Sequence, residues 1–258
     1  MICFVLQRRA FKMLLVALTC LLLHFIFSQQ FSAQYNLSPA VADMPFLKRH
    51  VILWLTMFLA RCKYYFGWLS SESICHLSGL GYEISTDSEW KSAIPTVRVL
   101  GVEVATSLKV FSDNWNIFTA RWLHFCIYER VPQYKVHSVF ICSAVWHGFY
   151  PGYYMMFGPL AGGVLLGRKV RQIIRPIFQQ SKATKLIYDV ITCFATIIVI
   201  AFNSCAFELK DWQLIYQFQR SLYFWPHLVL LIGLILVPNK KSIRQPMLNG
   251  NQHQSHLS

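Results

Sequence analysis

Long apolar runs are the feature that most restricts what this chain can fold into. They cover residues 11–31, 51–69, 186–207 and 222–237. A helix needs about 20 mostly apolar residues to cross the hydrocarbon core of a bilayer, where it satisfies its own backbone hydrogen bonds. Of the 258 residues, 55% are hydrophobic and only 14% are charged, which is too apolar for an ordinary soluble domain. The sequence therefore predicts an all-α polytopic membrane helical bundle of about five to six membrane segments.

The charge is strongly positive, with 24 Lys and Arg against 11 Asp and Glu and a formal net charge of +13. Most basic residues stand beside apolar runs, where the positive-inside rule accounts for them, so no nucleic-acid partner is expected. Residues 168–185 carry basic residues and no acidic one, whereas the charges in residues 208–220 cancel. The pattern predicts a cytosolic N terminus, a cytosolic central loop over residues 168–185 and a polar cytosolic tail over residues 238–258.

Two of the apolar runs carry charges that bear on how they sit in the membrane. Arg8, Arg9 and Lys12 stand at the start of the first run, as in a signal peptide or a retained signal anchor. Because the rest of the chain also predicts spans, we favour the retained anchor. Arg61 and Lys63 near the end of the second run predict that this helix reaches the membrane surface there.

Residues 70–109 have a mixed composition and predict a different kind of helix. Pro95 is suited to the first turn of a helix. After it, Val97, Leu100, Val104 and Leu108 recur at helical spacing. The pattern predicts an amphipathic helix that lies against the membrane face or against the bundle.

The passage over residues 114–157 predicts short helices rather than full spans. These helices cover residues 115–129, 136–149 and 153–166. Pro132 ends the first, and the pair Pro151-Gly152 separates the second from the third. The second and third are too short to cross a bilayer independently, so we predict a tight helical hairpin or a partly re-entrant pair.

Cysteine and histidine usage does not predict a metal site. The cysteines are Cys3, Cys20, Cys62, Cys75, Cys126, Cys142, Cys193 and Cys205. None forms a C-x-x-C pair and most lie in apolar stretches, so we expect free, buried thiols. No shared spacing that would build a metal site is found among the histidines other than His147, namely His24, His50, His76, His124, His137 and His227.

A histidine inside a membrane helix is costly, which makes His147 a candidate functional residue. Ser143 lies one helical turn earlier on the same face, and Asn116 lies on a different predicted helix. Structural roles are open for each of them. His147 can hydrogen-bond across helices, Asn116 can cap or join helices, and Ser143 can serve as a small packing residue.

The stretch "WNIFTARWL…YERVP…SAVWHGFYPGYYMMF" resembles the signature region of the membrane-bound O-acyltransferase family. The similarity is to the branch that reacylates lysophospholipids in the endoplasmic reticulum. "PFLKRH", "ARCKYYFGW", "TSLKVFSDNWN" and "LIYDVIT" also resemble that branch. Members of the family are considerably longer, with additional spans upstream, so the resemblance implies that this chain corresponds to the C-terminal half.

The resemblance implies a site and a reaction. It makes His147 the catalytic histidine and Asn116 its partner. Residues that it places in or beside the reaction chamber are Trp115, Trp146, Tyr150, Tyr153 and, more weakly, Ser143. The implied reaction is acyl transfer from acyl-CoA, as a co-substrate, to a lysophospholipid hydroxyl in phospholipid remodelling, with no bound cofactor and no metal. The implied location is the endoplasmic reticulum membrane, as a multi-pass protein.

Two other interpretations remain. The chain can be a truncated, inactive family member that acts as a membrane scaffold or as a partner of a complete enzyme. A transporter is disfavoured because Glu208 and Asp211 are placed in a loop rather than along a membrane pathway. Under the acyltransferase interpretation, we predict that residues 1–237 form one transmembrane domain. This domain is N-terminally incomplete relative to the family and is followed by the polar tail over residues 238–258.

Overall fold

The computed structural model describes residues 2–80, 82–84 and 90–238, with side chains over residues 7–80 and 92–238. The long helices are α1 (Ile2–Phe27), α3 (Phe46–Leu77), α8 (Pro151–Phe178) and α9 (Lys182–Leu209). The shorter ones are α2 (Pro39–Ala42), α4 (Val99–Glu103), α5 (Leu108–Asn114), α6 (Ile117–Leu123), α7 (Lys135–His147), α10 (Trp212–Ser221) and α11 (Trp225–Leu236). A 3₁₀ turn, Ala33–Leu37, precedes α2, and a π-helical turn, His124–Tyr128, follows α6.

The prediction of an all-α membrane helical protein is confirmed. The one departure within the described residues is a short antiparallel strand pair, β1 (Tyr82–Ile84) and β2 (Trp90–Ser92). By length and composition, two helical segments qualify as spans, Gln7–Phe27 and Lys182–Leu209. The pair α10 and α11, bent by 78°, qualifies as a third. This is fewer than the predicted five to six, because α7 has only 13 residues and the second half of α8 is basic.

Helices α1 and α3 lie side by side in antiparallel directions. The Ser73 hydroxyl donates to the carbonyl of Ala10 at 2.8 Å, and Nδ1 of His24 lies 2.8 Å from the carbonyl oxygen of Leu59. Early residues of α1 therefore meet late residues of α3. Between them, Cys62 and Tyr65 are fully buried, in a core that continues into α5, α8 and α9.

The second run was predicted to reach the membrane surface at Arg61 and Lys63, but the helix does not end there and Arg61 is paired inside the protein. Helix α3 continues to Leu77, and Arg61 is only 6% exposed. Its guanidinium donates twice to the carboxylate of Glu103, at 2.8 and 2.7 Å, and Tyr65 donates to the same carboxylate. A bidentate partner lets the cation remain in an apolar interior, which composition alone does not reveal.

The amphipathic helix predicted from Pro95 is also wrong. Residues 95–98 are not helical, and helix begins only with α4 (Val99–Glu103) and then α5 (Leu108–Asn114). Glu72 holds Thr96 in place, accepting from its backbone N–H at 2.7 Å and from its hydroxyl at 2.8 Å. Val97 is buried, whereas Leu100 is 78% exposed, so the four apolar residues do not share one face.

Helix α8 is much longer than the predicted short partner of α7. It runs 28 residues from Pro151, through the internal Pro159 and Pro176. Residues 168–178, predicted to lie in a cytosolic loop, are therefore part of α8. The predicted span over residues 186–207 is confirmed within α9, whereas the predicted tail lies outside the described residues from position 239 onward.

The described cysteines are Cys20, Cys62, Cys75, Cys126, Cys142, Cys193 and Cys205, and all are free. Cys20, Cys62 and Cys205 are buried, and the others are partly buried. A second core lies where α10 packs against α9 and α3, around the fully buried rings of Phe202 and Phe218. These packed helices surround the cavity described next.

Candidate active site

Helices α3, α5, α7, α8 and α9 enclose a cavity with about 920 Å³ of empty space, including its open mouth. Most of its lining is apolar. The polar side chains in the lining are Arg61, Tyr64, Ser112, Asn116, His147, Ser204 and Glu208. The sequence therefore brings Asn116 and His147, which are 31 positions apart, to one chamber. Apolar walls with a few convergent polar groups are typical of a binding or catalytic site.

His147 is the last residue of α7. Three aromatic rings surround its imidazole: Phe157 stacks on it with centroids 5.4 Å apart, Phe207 meets it edge-on at 5.1 Å, and Tyr153 lies at 5.6 Å. His147 as a whole residue is nevertheless exposed, so the rings cover only part of it. Helix α7 lies outside the candidate spans. The rings partly shield the imidazole from water, and this lowers the pKa of His147 from its ordinary value. The neutral imidazole, which can accept a proton, is therefore the favoured form.

The Pro151-Gly152 break positions the rings around His147. The N–H of Gly152 donates to the carbonyl of Lys210 at 3.3 Å. A Cβ atom on Gly152 would collide with the carbonyl oxygen of Ala206 and stand 2.9 Å from the Cα of Lys210. Glycine thus allows the start of α8 to rest on the backbone of α9. This contact places Tyr153 of α8 beside Phe207 of α9, with ring centroids 4.6 Å apart.

Asn116 lies at a corner between α5 and α6 rather than inside the predicted helix over residues 115–129. Its backbone is left-handed, with φ 44° and ψ 55°, a conformation that Asn adopts more readily than most residues. It occupies the N-cap position of α6, but its side chain makes no capping hydrogen bond. The corner is fixed through the backbone instead, since the N–H of Ile117 donates to the carbonyl of Thr96 at 2.8 Å.

The side chains of Asn116 and His147 have unused hydrogen-bonding capacity. Within the described ranges, 7–80 and 92–238, neither the Asn116 amide nor the His147 imidazole makes a side-chain hydrogen bond or an ion pair. The alternative in which Asn116 caps a helix through its side chain is therefore not what the structure shows. Both groups instead present polar atoms to the same cavity.

Trp115, the residue before Asn116, lines the cavity as part of an aromatic cluster. Its ring lies 4.7 Å from Trp68, 5.7 Å from Tyr64 and 5.6 Å from Phe111, measured between centroids. This cluster holds the corner that carries Asn116 against α3. The predicted proximity of Trp115 to the site agrees with this placement.

The remaining predicted site residues lie near the chamber but not in its lining. Tyr153 is buried and contacts His147. Ser143 donates its hydroxyl to the carbonyl of Val139 at 2.8 Å. Trp146 is 67% exposed and packs on Trp122, with centroids 5.3 Å apart. Tyr150 is 58% exposed, and its ring lies 5.9 Å from that of Tyr153.

Sequence reasoning missed two ion pairs beside the cavity. Glu208 was placed in a loop, but it lies in α9, lines the cavity and bonds Lys63 of α3 at 2.7 and 2.9 Å. The second pair joins Arg61 to Glu103. The sequence did offer a signal for these ion pairs, namely basic and acidic residues within apolar segments. A single sequence does not say which basic residue pairs with which carboxylate. Among the residues that the structure describes, no group of three His, Cys, Asp or Glu could hold a metal ion.

Comparison with known proteins places the chain among membrane-bound acyltransferases. The model of MBOAT, the membrane-bound O-acyltransferase family, matches residues 4–207. The chain is 36% identical over 248 residues to membrane-bound glycerophospholipid O-acyltransferase 2 of Rattus norvegicus, covering 94% of this chain and 47% of that protein. It is 35% identical over 209 residues to lysophospholipid acyltransferase 6 of Drosophila melanogaster, covering 77% and 29%. It is 31% identical over 229 residues to lysophospholipid acyltransferase of Schizosaccharomyces pombe, covering 83% and 45%. The chain thus spans about half the length of the curated relatives it matches, or less.

Proposed function

The chain belongs to the membrane-bound O-acyltransferase family, and from this premise we propose that the protein transfers an acyl group from acyl-CoA to the hydroxyl of a lysophospholipid. The observation that carries the proposal is that Asn116 and His147, each with a free polar side chain, line one apolar cavity. The relatives' names, glycerophospholipid O-acyltransferase and lysophospholipid acyltransferase, support this substrate class.

His147 acts as the general base in this proposal. Its neutral imidazole takes the proton of the lysophospholipid hydroxyl as the hydroxyl oxygen attacks the thioester carbonyl carbon. When the carbon–sulfur bond of the tetrahedral intermediate breaks, the imidazolium returns the proton to the leaving CoA sulfur. The products are the diacyl phospholipid and free CoA. Positioned proton transfer of this kind contributes about 10²–10⁴-fold to a rate.

Asn116 supplies a hydrogen-bond donor to the same step. Negative charge develops on the thioester oxygen during the attack, and a fixed amide N–H stabilises it most effectively in an apolar, water-excluded site. The left-handed corner at Asn116 is anchored by backbone hydrogen bonds on both sides, at Thr96 and Ala120. The amide is thereby held in position without using its own hydrogen-bonding groups.

The apolar lining serves the chemistry as well as the lipids. A thioester is already activated, so attack by the hydroxyl requires no covalent intermediate on the protein, and Ser143 is not needed as a nucleophile. Its bond to Val139 is consistent with a packing role. Phe157, Phe207 and Trp115 exclude water that would otherwise hydrolyse the thioester. Tyr153 supports His147, and Trp146 and Tyr150 extend the aromatic surface beside it.

The proposed setting is the endoplasmic reticulum membrane, with acyl-CoA as a co-substrate rather than a bound cofactor. Residues 1–237 are the transmembrane acyltransferase part, and residues 238–258 a polar cytosolic tail. The basic second half of α8, which contains Arg168, Lys169 and Arg171, suits the cytosolic side of such a membrane.

A second candidate function is that of a catalytically silent scaffold or partner of a longer enzyme. The observation that favours it is the apolar surface beside His147, where Phe149 is 85% and Trp146 67% exposed. An extended apolar surface of this kind is typical of a face that contacts protein or lipid.

The experiment is an assay of membranes that contain the protein expressed from its whole transcript, with labelled acyl-CoA and a panel of lysophospholipids. We expect acyl transfer, and a loss of about 10²–10⁴-fold in His147→Ala at equal expression. His137→Ala is the matched control, because His137 is an exposed histidine on the same helix. Equal activity of His147→Ala and the wild-type protein would overturn the catalytic assignment, and insertion without any turnover would favour the scaffold.

A further inference from the structure

The ammonium group of Lys63 occupies a small polar cluster beside the cavity. It bonds both carboxylate oxygens of Glu208, at 2.9 and 2.7 Å, and lies 5.0 Å from the ring centroid of Tyr64. The Tyr64 hydroxyl in turn donates to Glu208 at 3.3 Å. Tyr64 and Glu208 line the same cavity as Asn116 and His147. A carboxylate and an aromatic face together are the groups with which proteins bind ammonium ions.

We propose that Glu208, Tyr64 and Lys63 form a headgroup subsite that selects zwitterionic lysophospholipids. Glu208 and the ring of Tyr64 take the ammonium of the headgroup, in the position that the Lys63 ammonium occupies in the free protein. Lys63, released from Glu208, takes the phosphate. This inference rests on the proposed function, because it assigns the headgroup of the acyl acceptor.

Exchange of ion pairs keeps the charge balanced at each stage. In the free protein one cation and one anion neutralise each other, and in the complex each pairs with the opposite charge of the headgroup. A headgroup with a phosphate but no ammonium draws Lys63 away and leaves Glu208 without a cation. An unpaired carboxylate in partly buried surroundings is costly, which is how the subsite discriminates.

The Lys63–Glu208 pair is suited to such an exchange, and the neighbouring Arg61–Glu103 pair is not. The Lys63 and Glu208 side chains are 37% and 19% exposed, against 8% and 15% for Arg61 and Glu103. Lysine is a compact point charge on a flexible stem, whereas the guanidinium of Arg61 is locked by a bidentate bond. The first pair can therefore open to a ligand while the second holds α3 to α4.

The subsite lies within reach of the proposed reaction centre. Phe207, the residue before Glu208 on α9, packs its ring against His147 with centroids 5.1 Å apart. Glu208 and His147 also line one cavity. One lysophospholipid can therefore present its headgroup to Glu208 and its glycerol hydroxyl to His147.

The test compares two substrates and two variants. Lysophosphatidylethanolamine and lysophosphatidylglycerol with the same acyl chain both carry a phosphate, and only the first carries an ammonium. In Glu208→Gln we expect KM for lysophosphatidylethanolamine to rise about tenfold, as when a hydrogen bond to a charged group is lost, with KM for lysophosphatidylglycerol unchanged or lower. Asp113→Asn is the matched control, since it removes the carboxylate of an exposed Lys109–Asp113 pair, and we expect the wild-type preference.

Failure of this inference is distinguishable from failure of the proposed function. A wild-type protein that acylates neither lipid overturns the proposed function. A wild-type protein that is active, with Glu208→Gln equally impaired on both lipids, shows that the pair is only structural and overturns the subsite. Equilibrium binding of both lipids to His147→Ala, with and without Glu208→Gln, gives the same comparison without turnover. A loss of preference in the double neutral variant Lys63→Gln/Glu208→Gln supports the subsite, and retained preference overturns it.

Discussion

The polar groups on the two sides of the cavity differ in whether they are paired. On the side formed by α3 and α9, Arg61 and Glu208 are each bonded to an opposite charge. On the side formed by the α5–α6 corner and α7, Asn116 and His147 line the same chamber without such bonds. The Arg61–Glu103 pair is locked and holds helices together, whereas the unpaired Asn116 and His147 are available to the reacting atoms of a substrate. The more exposed Lys63–Glu208 pair lies between these extremes, since it can exchange partners with a charged headgroup.

The largest effect is expected on the paired side. In Arg61→Ala, the carboxylate of Glu103 loses its bidentate partner in the core, and we expect a loss of about 3–5 kcal/mol in the free energy of unfolding. Denaturant unfolding of the purified protein in detergent measures it. The double variant Arg61→Met/Glu103→Leu, which removes both charges, should recover most of this stability. If the single variant were as stable as the wild type, the paired side would not hold the helices.

The next effect is expected on the unpaired side, at Asn116. Replacing it by glycine keeps a residue that tolerates φ 44° but removes the amide. We expect acyl transfer to fall about 10²–10³-fold, with the protein still folded, because a transition-state hydrogen bond is lost. Steady-state kinetics with matched thermal unfolding measures both. If Asn116→Gly were fully active and Asn116→Ala inactive, the residue would serve only the backbone corner.

A smaller effect is expected where the two sides meet, at Gly152. A Cβ atom there collides with the backbone of α9 at Ala206, so Gly152→Ala should cost about 1–3 kcal/mol in unfolding free energy. It should also reduce activity, because the rings around His147 are positioned by this contact. Gly158→Ala on the same helix is the control, since a Cβ at Gly158 meets nothing within 4 Å. Equal behaviour of the two variants would contradict the assigned role of the break.

The smallest effect is a shift in pH dependence. Exclusion of water lowers the pKa of His147 from the ordinary value of about 6.5, so its neutral form persists to lower pH. We expect kcat to stay level near pH 7 and to fall on acidification with a midpoint below that ordinary value. Phe157→Ala, which removes the stacked ring, should move the midpoint up toward it. A wild-type midpoint above the ordinary value would contradict this environment for the imidazole.

The sequence predicted the membrane class, and the convergence of Asn116 and His147 on one chamber, better than it predicted the course of the chain. Apolar runs located α1 and α9, because hydropathy acts along the chain and needs no knowledge of partners. The motif around His147 and Asn116 located the chamber, and the structure brings both residues to it. The left-handed backbone at Asn116 was not predicted, because it depends on anchoring at Thr96 from outside the motif.

Three of the errors involved contacts between distant parts of the chain. Arg61 was expected at the surface because its partner Glu103 lies 42 positions away. Pro95 was expected to open a helix because the sequence around it does not reveal that the Glu72 carboxylate binds the backbone N–H of Thr96. Glu208 was assigned to a loop for the same reason, since Lys63 lies 145 positions earlier. Helix propensity and local hydropathy do not indicate these charge-assisted hydrogen bonds, which determine the structure at the three positions.

The order in which these charges are synthesised has a consequence for biogenesis. Helix α3 leaves the ribosome carrying Lys63, while its partner carboxylate Glu208 is still 145 residues from being made. Until then the Lys63 ammonium lacks the carboxylate that pairs with it in the finished fold. We therefore expect α3 to settle only after α9 emerges. In ribosome-stalled nascent chains that end before Glu208, Cys62, which is fully buried in the finished fold, should react with a water-soluble maleimide. Protection of Cys62 in such chains would show that α3 is already packed before α9 is complete, and would contradict this order.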